Sequence, residues 1–262
     1  MKIAILYICT GRYNQFFLGF YQSIIKNFLP SYQKTFFVWS DDESICKGLK
    51  DVVFYYKKCA GFPADSLFRF EMFLQAEEQI KIYDYVYFFN SNAEVVLPVG
   101  NDILPDETGL AMGIWPDANM SRHPMFFPYE RNKKSLAYIK PWGKNYKYYM
   151  GGINGGTSKD YLAMVRTLAT NIRKDYEAGI VAYVHDESHI NRYLRDHKCK
   201  VLGPLYTTPE EFTYGVLDYK PCIIFRDKVK IDPYFKKGRK LGFISKVKKS
   251  IQLLFRAIIW YF

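Results

Sequence analysis

The sequence predicts an α/β fold around a mostly parallel sheet, and three observations carry that prediction. Short apolar runs of strand length (KIAILYIC, TFFVWS, VVFYY, DYVYFF) alternate with longer segments of helical spacing in the first half of the chain. The runs are apolar almost throughout, as strands covered on both faces must be. With 262 residues, of which 49% are hydrophobic, the chain is long enough for one sizeable core.

In order, residues 2–9 read as a buried strand, and 14–29 as a helix with Phe17, Phe20, Ile24, Ile25 and Phe28 on one face. Strands follow at 35–40 and 52–56. A helix is expected over 66–80, with Phe68, Met72, Phe73 and Ala76 inward, and a strand over 84–89. Beyond it the pattern loosens. A strand is expected over 110–115, a loop-rich stretch over 119–145, and a glycine-rich segment, YYMGGINGGT, over 148–157. Helices are predicted at 158–176 and 186–195, and strands at 200–205 and 222–226. In open parallel sheets ligands bind beyond the carboxyl ends of the strands, so the site is expected after Cys9, Ser40 and Phe89.

The net charge of +11 invites a reading as a nucleic-acid binder, but its distribution argues otherwise. From Asp227 to Phe262 the chain has ten Lys/Arg and two Asp, a balance of +8, which leaves +3 for everything before. The basicity belongs to the tail, and no nucleic-acid partner is expected. The five cysteines are scattered without a CxxC pair, which points away from a disulfide framework or zinc ribbon and towards a reducing compartment. The chain starts directly with an apolar strand, so no signal peptide is expected, and no apolar run is long enough for a membrane span.

Three constellations could carry chemistry. Asn90-Ser91-Asn92 follows the strand DYVYFF, where residues i and i+2 can face one cleft. Amides lack the charge that hard cations favour but can donate to phosphate oxygens; the alternative is a plain polar turn. The glycine pairs after Tyr149-Met150 permit close backbone approach, and no Walker or dinucleotide fingerprint accompanies them; the alternative is a turn before the next helix. His185-Asp186-Glu187-Ser188-His189 opens a helix with two carboxylates. His185 and His189, with His197 as a third ligand, have zinc-like spacing, although Asp stands where the metalloprotease pattern has Glu. A solvated charged cap is the third reading.

Six segments, in order, resemble glycosyltransferase family 6: ILYICTGRY (5–13), RFEMF (69–73), DYVYFFNSNAEVV (84–96), YERNKKSLAYI (129–139), YYMGGINGG (148–156) and HDESHINRYLRDH (185–197). This family includes the blood-group A and B transferases, the α-1,3-galactosyltransferases and bacterial relatives. NSN in place of the acidic triplet is similar to the bacterial branch, which works without metal. The resemblance implies a GT-A, Rossmann-like fold, a UDP-GalNAc or UDP-Gal donor, a saccharide acceptor and no cofactor. It places Ile8, Cys9, Thr10 and Tyr13 around uracil and ribose, and Arg69 near the diphosphate. Asn90 and Asn92 would contact the diphosphate or donor sugar, Met150, Gly151 and Gly152 would line that sugar, and Asp186 would touch its ring. His185 would meet the acceptor, and Glu187 would lie beneath the anomeric carbon, where positive charge develops as UDP leaves. Without a metal, leaving-group charge calls for Lys or Arg, and Arg226 and Lys228 are the candidates, with an exposed basic turn as their alternative reading.

Two positions depart from the family pattern. Trp115 stands where His is common, and Pro128 where Thr is common; both face the acceptor in relatives, so the acceptor is expected to differ from fucosylated galactose. Gly152 is expected to leave room for an N-acetyl group, whereas Met150 is the residue of the galactose-using B-type enzyme. A Mn²⁺-dependent transferase of the same fold and a catalytically silent sugar-binding protein stay open as alternatives.

The domain is expected to span residues 1–235, followed by a basic amphipathic helix over 236–262. Leu241, Ile244, Val247, Ile251, Leu254, Phe255, Ile258 and Phe262 fall at helical spacing, with Lys246, Lys248, Lys249 and Arg256 among them. Such a helix suits an anionic membrane interface, which would place the enzyme on the cytoplasmic face of a bacterial inner membrane with a lipid-linked acceptor. The alternative is packing on the domain or on a partner subunit.

Overall fold

The computed structural model describes residues 1–116 and 123–236 and, in the C-terminal segment, 251, 252, 254–256, 258, 260 and 261. Leu241, Ile244, Val247, Phe262, Lys246, Lys248 and Lys249 of the expected tail helix lie outside the described residues.

The centre is a seven-stranded sheet. Its strands are β1 (Lys2–Ile8), β2 (Gln33–Ser40), β3 (Val52–Tyr56), β4 (Tyr85–Phe89), β6 (Leu110–Ile114), β7 (Tyr149–Thr157) and β8 (Lys200–Leu202), in the order β3-β2-β1-β4-β7-β6-β8. β1, β2, β3 and β4 are mutually parallel, β6 and β8 likewise, and β7 runs antiparallel between β4 and β6. A small second sheet pairs β5 (Ala93–Val95) with β10 (Ile223–Phe225), and β10 with β9 (Thr208–Pro209). This is the mostly parallel, helix-flanked α/β architecture that the apolar runs and the resemblance predict.

Both faces of the sheet are covered. On one, α3 (Arg69–Gln75), α5 (Ser158–Glu177) and α6 (His185–Tyr193) bury Leu6, Phe37, Phe88, Phe73 and Leu168. On the other, α1 (Phe17–Asn27) packs Phe17, Phe20 and Ile24 against Ile5, Tyr7 and Phe89. The alternation of inward and outward residues along each strand thus feeds two cores, which explains why the strands read as continuous apolar runs.

The structure departs from the sequence reading in three places. The expected helix over 14–29 begins as a 3-10 turn (Gly11–Phe16), becomes α1, and stops at Phe28, because Leu29 takes φ +45° ahead of Pro30. The expected helix over 66–80 is three pieces: α2 (Ala64–Leu67), α3 and α4 (Glu77–Ile80). The break at Phe68 sends that ring out to Tyr176, 5.0 Å away, while Arg69 turns into the core.

The third departure is the glycine-rich segment, which is a strand, β7, in the middle of the sheet. Glycine ordinarily weakens a strand. Here the neighbours leave no room for a side chain: a Cβ on Gly155 would run into the Tyr87 ring and lie 2.6 Å from the Val86 carbonyl. Gly155→Ala is therefore expected to cost about 1–3 kcal/mol through overpacking. Gly19, in helix α1 with no atom within 4 Å of its missing Cβ, is the control. Gly19→Ala is expected to gain up to about 1 kcal/mol. Chemical denaturation of both variants checks the pair, and equal effects would contradict this packing.

Candidate active site

The site lies where the carboxyl ends of β1 and β4 meet the start of β7. Helix α6 returns to this edge and brings Asp186 and Glu187 onto Gly151. Asn191 secures the approach: its Nδ2 donates to the carbonyls of Tyr149 (2.8 Å) and Glu187 (2.9 Å), and its Oδ1 accepts from Tyr149 N (2.9 Å). The turn into α6 is sharp. His185 takes φ +50°, in the left-handed region, and Ser188 Oγ accepts from Val184 N at 2.9 Å. A strained backbone at this point is held by the surrounding structure rather than by local preference.

Both oxygens of Glu187 are occupied. Oε2 accepts from Gly151 N at 2.5 Å, and Oε1 accepts from the Tyr148 hydroxyl. A Cβ on Gly151 would stand 3.3 Å from Glu187 Oε2 and 3.1 Å from Arg69 Nη2, so only glycine lets the strand come this near. Burial raises the Glu187 acid to about 7, against the pull of the Tyr148 and Gly151 hydrogen bonds in the other direction.

Asp186 is the second carboxylate. Burial raises its pKa, and Arg69 opposes that shift. Arg69 is 3% exposed; its Nη2 lies 2.7 Å from Asp186 Oδ2, its Nη1 donates to the Gly151 carbonyl at 3.0 Å, and it stacks on Phe88 at 4.5 Å. The expected diphosphate cation is thus engaged beneath the cleft, tying α3, α6 and β7 together.

The remaining expected residues fall into groups. Thr10 donates to Asp65 Oδ2 at 2.9 Å, and Asp65 also receives Lys57 Nζ (2.7 Å) and Gly61 N (2.9 Å), which folds the 57–65 loop against the end of β1. Ile8 closes β1, and Cys9 follows with its thiol buried in the core and its pKa raised by that burial. Lys228 Nζ lies 5.1 Å over the Tyr13 ring, and Arg12 pairs with Asp232 at 2.9 Å, so the 226–236 segment closes over the end of β1. Arg226 sits between Glu94 (3.2 Å) and Glu210 (3.5 Å).

Asn90 N donates to the Gly152 carbonyl, and Asn92 exchanges two hydrogen bonds of 2.8 Å with the backbone of Arg226. Asn92 is therefore the clamp that holds the Arg226 segment beside β4. The space above Gly152 is filled by Met150 Cε and the Phe225 ring, so these residues face the core side of β7, opposite Gly151. Trp115 N donates to the Tyr148 carbonyl, and Pro128 immediately precedes Tyr129, whose hydroxyl donates to the Lys147 carbonyl at 2.6 Å.

The histidines of the zinc alternative do not converge. The ring of His185 meets Phe62 at 4.9 Å, that of His197 stacks on Tyr193 at 3.8 Å, and His189 is buried near Asp175, its pKa lowered to about 4 by burial. Among the described residues no group of three His, Cys, Asp or Glu side chains is arranged to hold a metal ion. Asn90 and Asn92 offer only neutral amide oxygens, without the negative charge that hard divalent cations favour.

Sequence reading missed three positions. Tyr148 carries no local signal of a role, yet its hydroxyl reaches Glu187. Phe62, 79% exposed, stands beside His185 from a loop with no periodic signal. Glu130 accepts from Arg131 N and Asn132 N (2.7 Å each) and from Tyr183 N (2.5 Å), joining the YERNKKSLAYI loop to the entrance of α6. The only sequence signal for Tyr148 and Glu130 is that they lie inside YYMGGINGG and YERNKKSLAYI.

Removing the Arg69 charge leaves Asp186 buried without its partner. Arg69→Met is expected to cost about 3–5 kcal/mol. Asp186, already raised, then protonates more readily, so the deficit shrinks as pH falls. Denaturant titration at neutral and acidic pH checks both points, and a loss no larger than that of a surface substitution would contradict the role.

Comparison with known proteins accounts for this arrangement. The model for "Glycosyltransferase family 6" matches residues 1–216. The O-antigen biosynthesis glycosyltransferase WbnI of Escherichia coli is 32% identical over 231 residues, covering 87% of this chain and 95% of that protein. Globoside alpha-1,3-N-acetylgalactosaminyltransferase 1 of Gallus gallus is 28% identical, covering 79% of this chain and 61% of its own length. Histo-blood group ABO system transferase 2 of Rattus norvegicus is 28% identical over 78% of this chain and 62% of its own. This chain thus spans under two thirds of these two longer vertebrate proteins. The chain belongs to glycosyltransferase family 6.

Proposed function

We propose that the protein is a retaining α-1,3-glycosyltransferase. In this reading it moves GalNAc, or alternatively Gal, from a UDP-sugar to a galactose-containing acceptor, without a metal ion. Membership of the family makes it a hexosyltransferase; the finer reading rests on the site. The observation that carries it is Glu187, enclosed at the carboxyl edge of the sheet with both oxygens held by Gly151 and Tyr148. A carboxylate fixed there suits the face of an anomeric carbon opposite the leaving group. It can stabilise the developing positive charge or attack it, and retention follows from either course.

The other residues take parts consistent with this. Asp186, aimed by Arg69, suits hydroxyls of the donor ring. Lys228 over Tyr13, with Arg226 on the same segment, suits the diphosphate of departing UDP, since fixed cations can replace a metal in neutralising leaving-group charge. His185, Phe62, Trp115 and Pro128 form the acceptor side in this reading. The names of relatives support N-acetylgalactosamine and a bacterial surface glycan: N-acetylgalactosaminyl transfer for the globoside enzyme, O-antigen biosynthesis for WbnI.

The described part of the C-terminal segment supports membrane association. Ile251, Leu254, Phe255 and Ile258 are exposed, in a tail of strongly basic sequence. An interfacial helix on an anionic leaflet would set the enzyme beside a lipid-linked acceptor on the cytoplasmic face of the inner membrane. No helix among the described residues is long and apolar enough to cross a membrane.

Release of UDP from UDP-GalNAc and UDP-Gal into water, with EDTA present, tests the chemistry. Turnover is expected to survive EDTA and to fall at least about a hundredfold in Glu187→Gln. Loss on chelation with recovery on adding Mn²⁺ would support the metal-dependent alternative, and binding of both donors without turnover would support a binding protein. Because only the ionised carboxylate can act, and burial raises it, kcat is expected to rise with pH through about 7. For the membrane, Phe255→Asp with Ile258→Asp in the full chain should abolish co-sedimentation with anionic vesicles; unchanged binding would refute that role.

A further inference from the structure

The residues behind Glu187 form a third, aromatic core that neither large core includes. Phe127, Tyr129, Ile139, Tyr148 and Trp260 are all buried in it. Four of them come from the 127–148 region. The fifth comes from the last helical turn of the chain, beyond the 216 residues that the family model matches.

Trp260 is 3% exposed, and its indole Nε1 donates to the Ile139 carbonyl at 2.6 Å. Its ring centroid lies 5.9 Å from that of Tyr129 and 5.6 Å from that of Tyr146, and Arg131 stacks over it at 5.3 Å. One turn earlier, Arg256 donates to the Tyr129 carbonyl at 3.1 Å. Tyr129 passes the constraint on by two routes. Its ring packs on Tyr148 at 5.7 Å, and its hydroxyl holds the carbonyl of Lys147, the residue before Tyr148. Tyr148 then holds Glu187 Oε1.

We propose, resting on the catalytic role of Glu187, that the C-terminal turn is the back wall of the active site and that Trp260 is a positioning residue. It acts through Tyr129 to keep the Tyr148 hydroxyl on the catalytic carboxylate. The terminal helix so has two faces: Trp260 and Arg256 are committed to the active-site wall, while Ile251, Leu254, Phe255 and Ile258 are turned outward. A phenol donating to a carboxylate favours its ionised form and, with Gly151 N on the other oxygen, fixes the orientation of the group. The charged and titratable groups around Glu187 are Tyr148, Asp186 and Arg69, with His185 beside Asp186. Of these, Tyr148 is the one that the terminal turn reaches.

The test uses the full chain and three variants: Tyr148→Phe, Trp260→Ala and Trp260→Phe. Two readouts are taken: the pH profile of donor hydrolysis, and the infrared titration of the carboxyl band that Glu187→Gln removes. Tyr148→Phe is expected to lower kcat by about tenfold, leave the donor KM unchanged, and move both titration midpoints upward from about 7. Trp260→Ala should move them the same way by less, and Trp260→Phe, which keeps a ring in the stack, should recover most of the effect. Folded Trp260→Ala protein with a wild-type carboxyl titration would overturn the proposal, as would a kcat loss without a shifted midpoint, which loosened packing alone produces. The infrared readout needs no turnover. A shifted band in a protein that hydrolyses neither donor would keep the Trp260–Glu187 linkage and sink the catalytic reading instead.

Discussion

The structure turns on holding two carboxylates, Asp186 and Glu187, side by side at the buried edge of a sheet. Neither belongs there on solvation grounds, and burial pushes both acids upward. The chain answers with one guanidinium, one backbone N–H and one phenol: Arg69 for Asp186, Gly151 N and Tyr148 for Glu187. Each of these donors comes from a different element than the carboxylates, so the site exists only when α3, α6 and β7 are docked together. Glu187, the proposed catalytic group, is therefore also a reporter of the fold.

That docking sets the unusual composition of β7. A strand with two glycine pairs would be a poor choice for stability alone. Its neighbours explain it: Tyr87 fills the space of a side chain at Gly155, and Arg69 and the two carboxylates crowd the one at Gly151. The large aromatic and charged residues that the chain uses freely are accommodated by removing side chains from the strand they press against. The same logic places Asn154 and Asn191 as buried amides, the one receiving Tyr161 Oη at 2.7 Å, the other zipping α6 to β7.

Much of this was legible in advance, and the pattern of what was missed is physical. Strands β1 to β4 announce themselves because both faces are buried, so every residue is apolar. β7 does not, because periodicity cannot report a strand whose side chains have been deleted to admit its neighbours. The motif HDESHINRYLRDH pointed to Asp186 and Glu187, but their partners lie 36 residues or more away in sequence, and contacts at such distance leave no local pattern. Arg69 stands out in the sequence as a cation of its motif, but its buried pairing with Asp186 does not, because the two lie far apart in the chain. The tail reads as apolar and basic at helical spacing, while the burial of Trp260 depends on an aromatic pocket assembled from residues 127–148, which no local pattern in the tail shows.

The central claim is that Glu187 sits beneath an anomeric carbon and enforces retention. Proton NMR of the sugar first released when the enzyme hydrolyses its UDP-sugar donor tests this most directly, because the anomer formed on the protein is visible before mutarotation scrambles it. Release of the α-anomer first is the expected result. Release of the β-anomer would mean direct attack of water from the opposite face, and would contradict a carboxylate occupying that face.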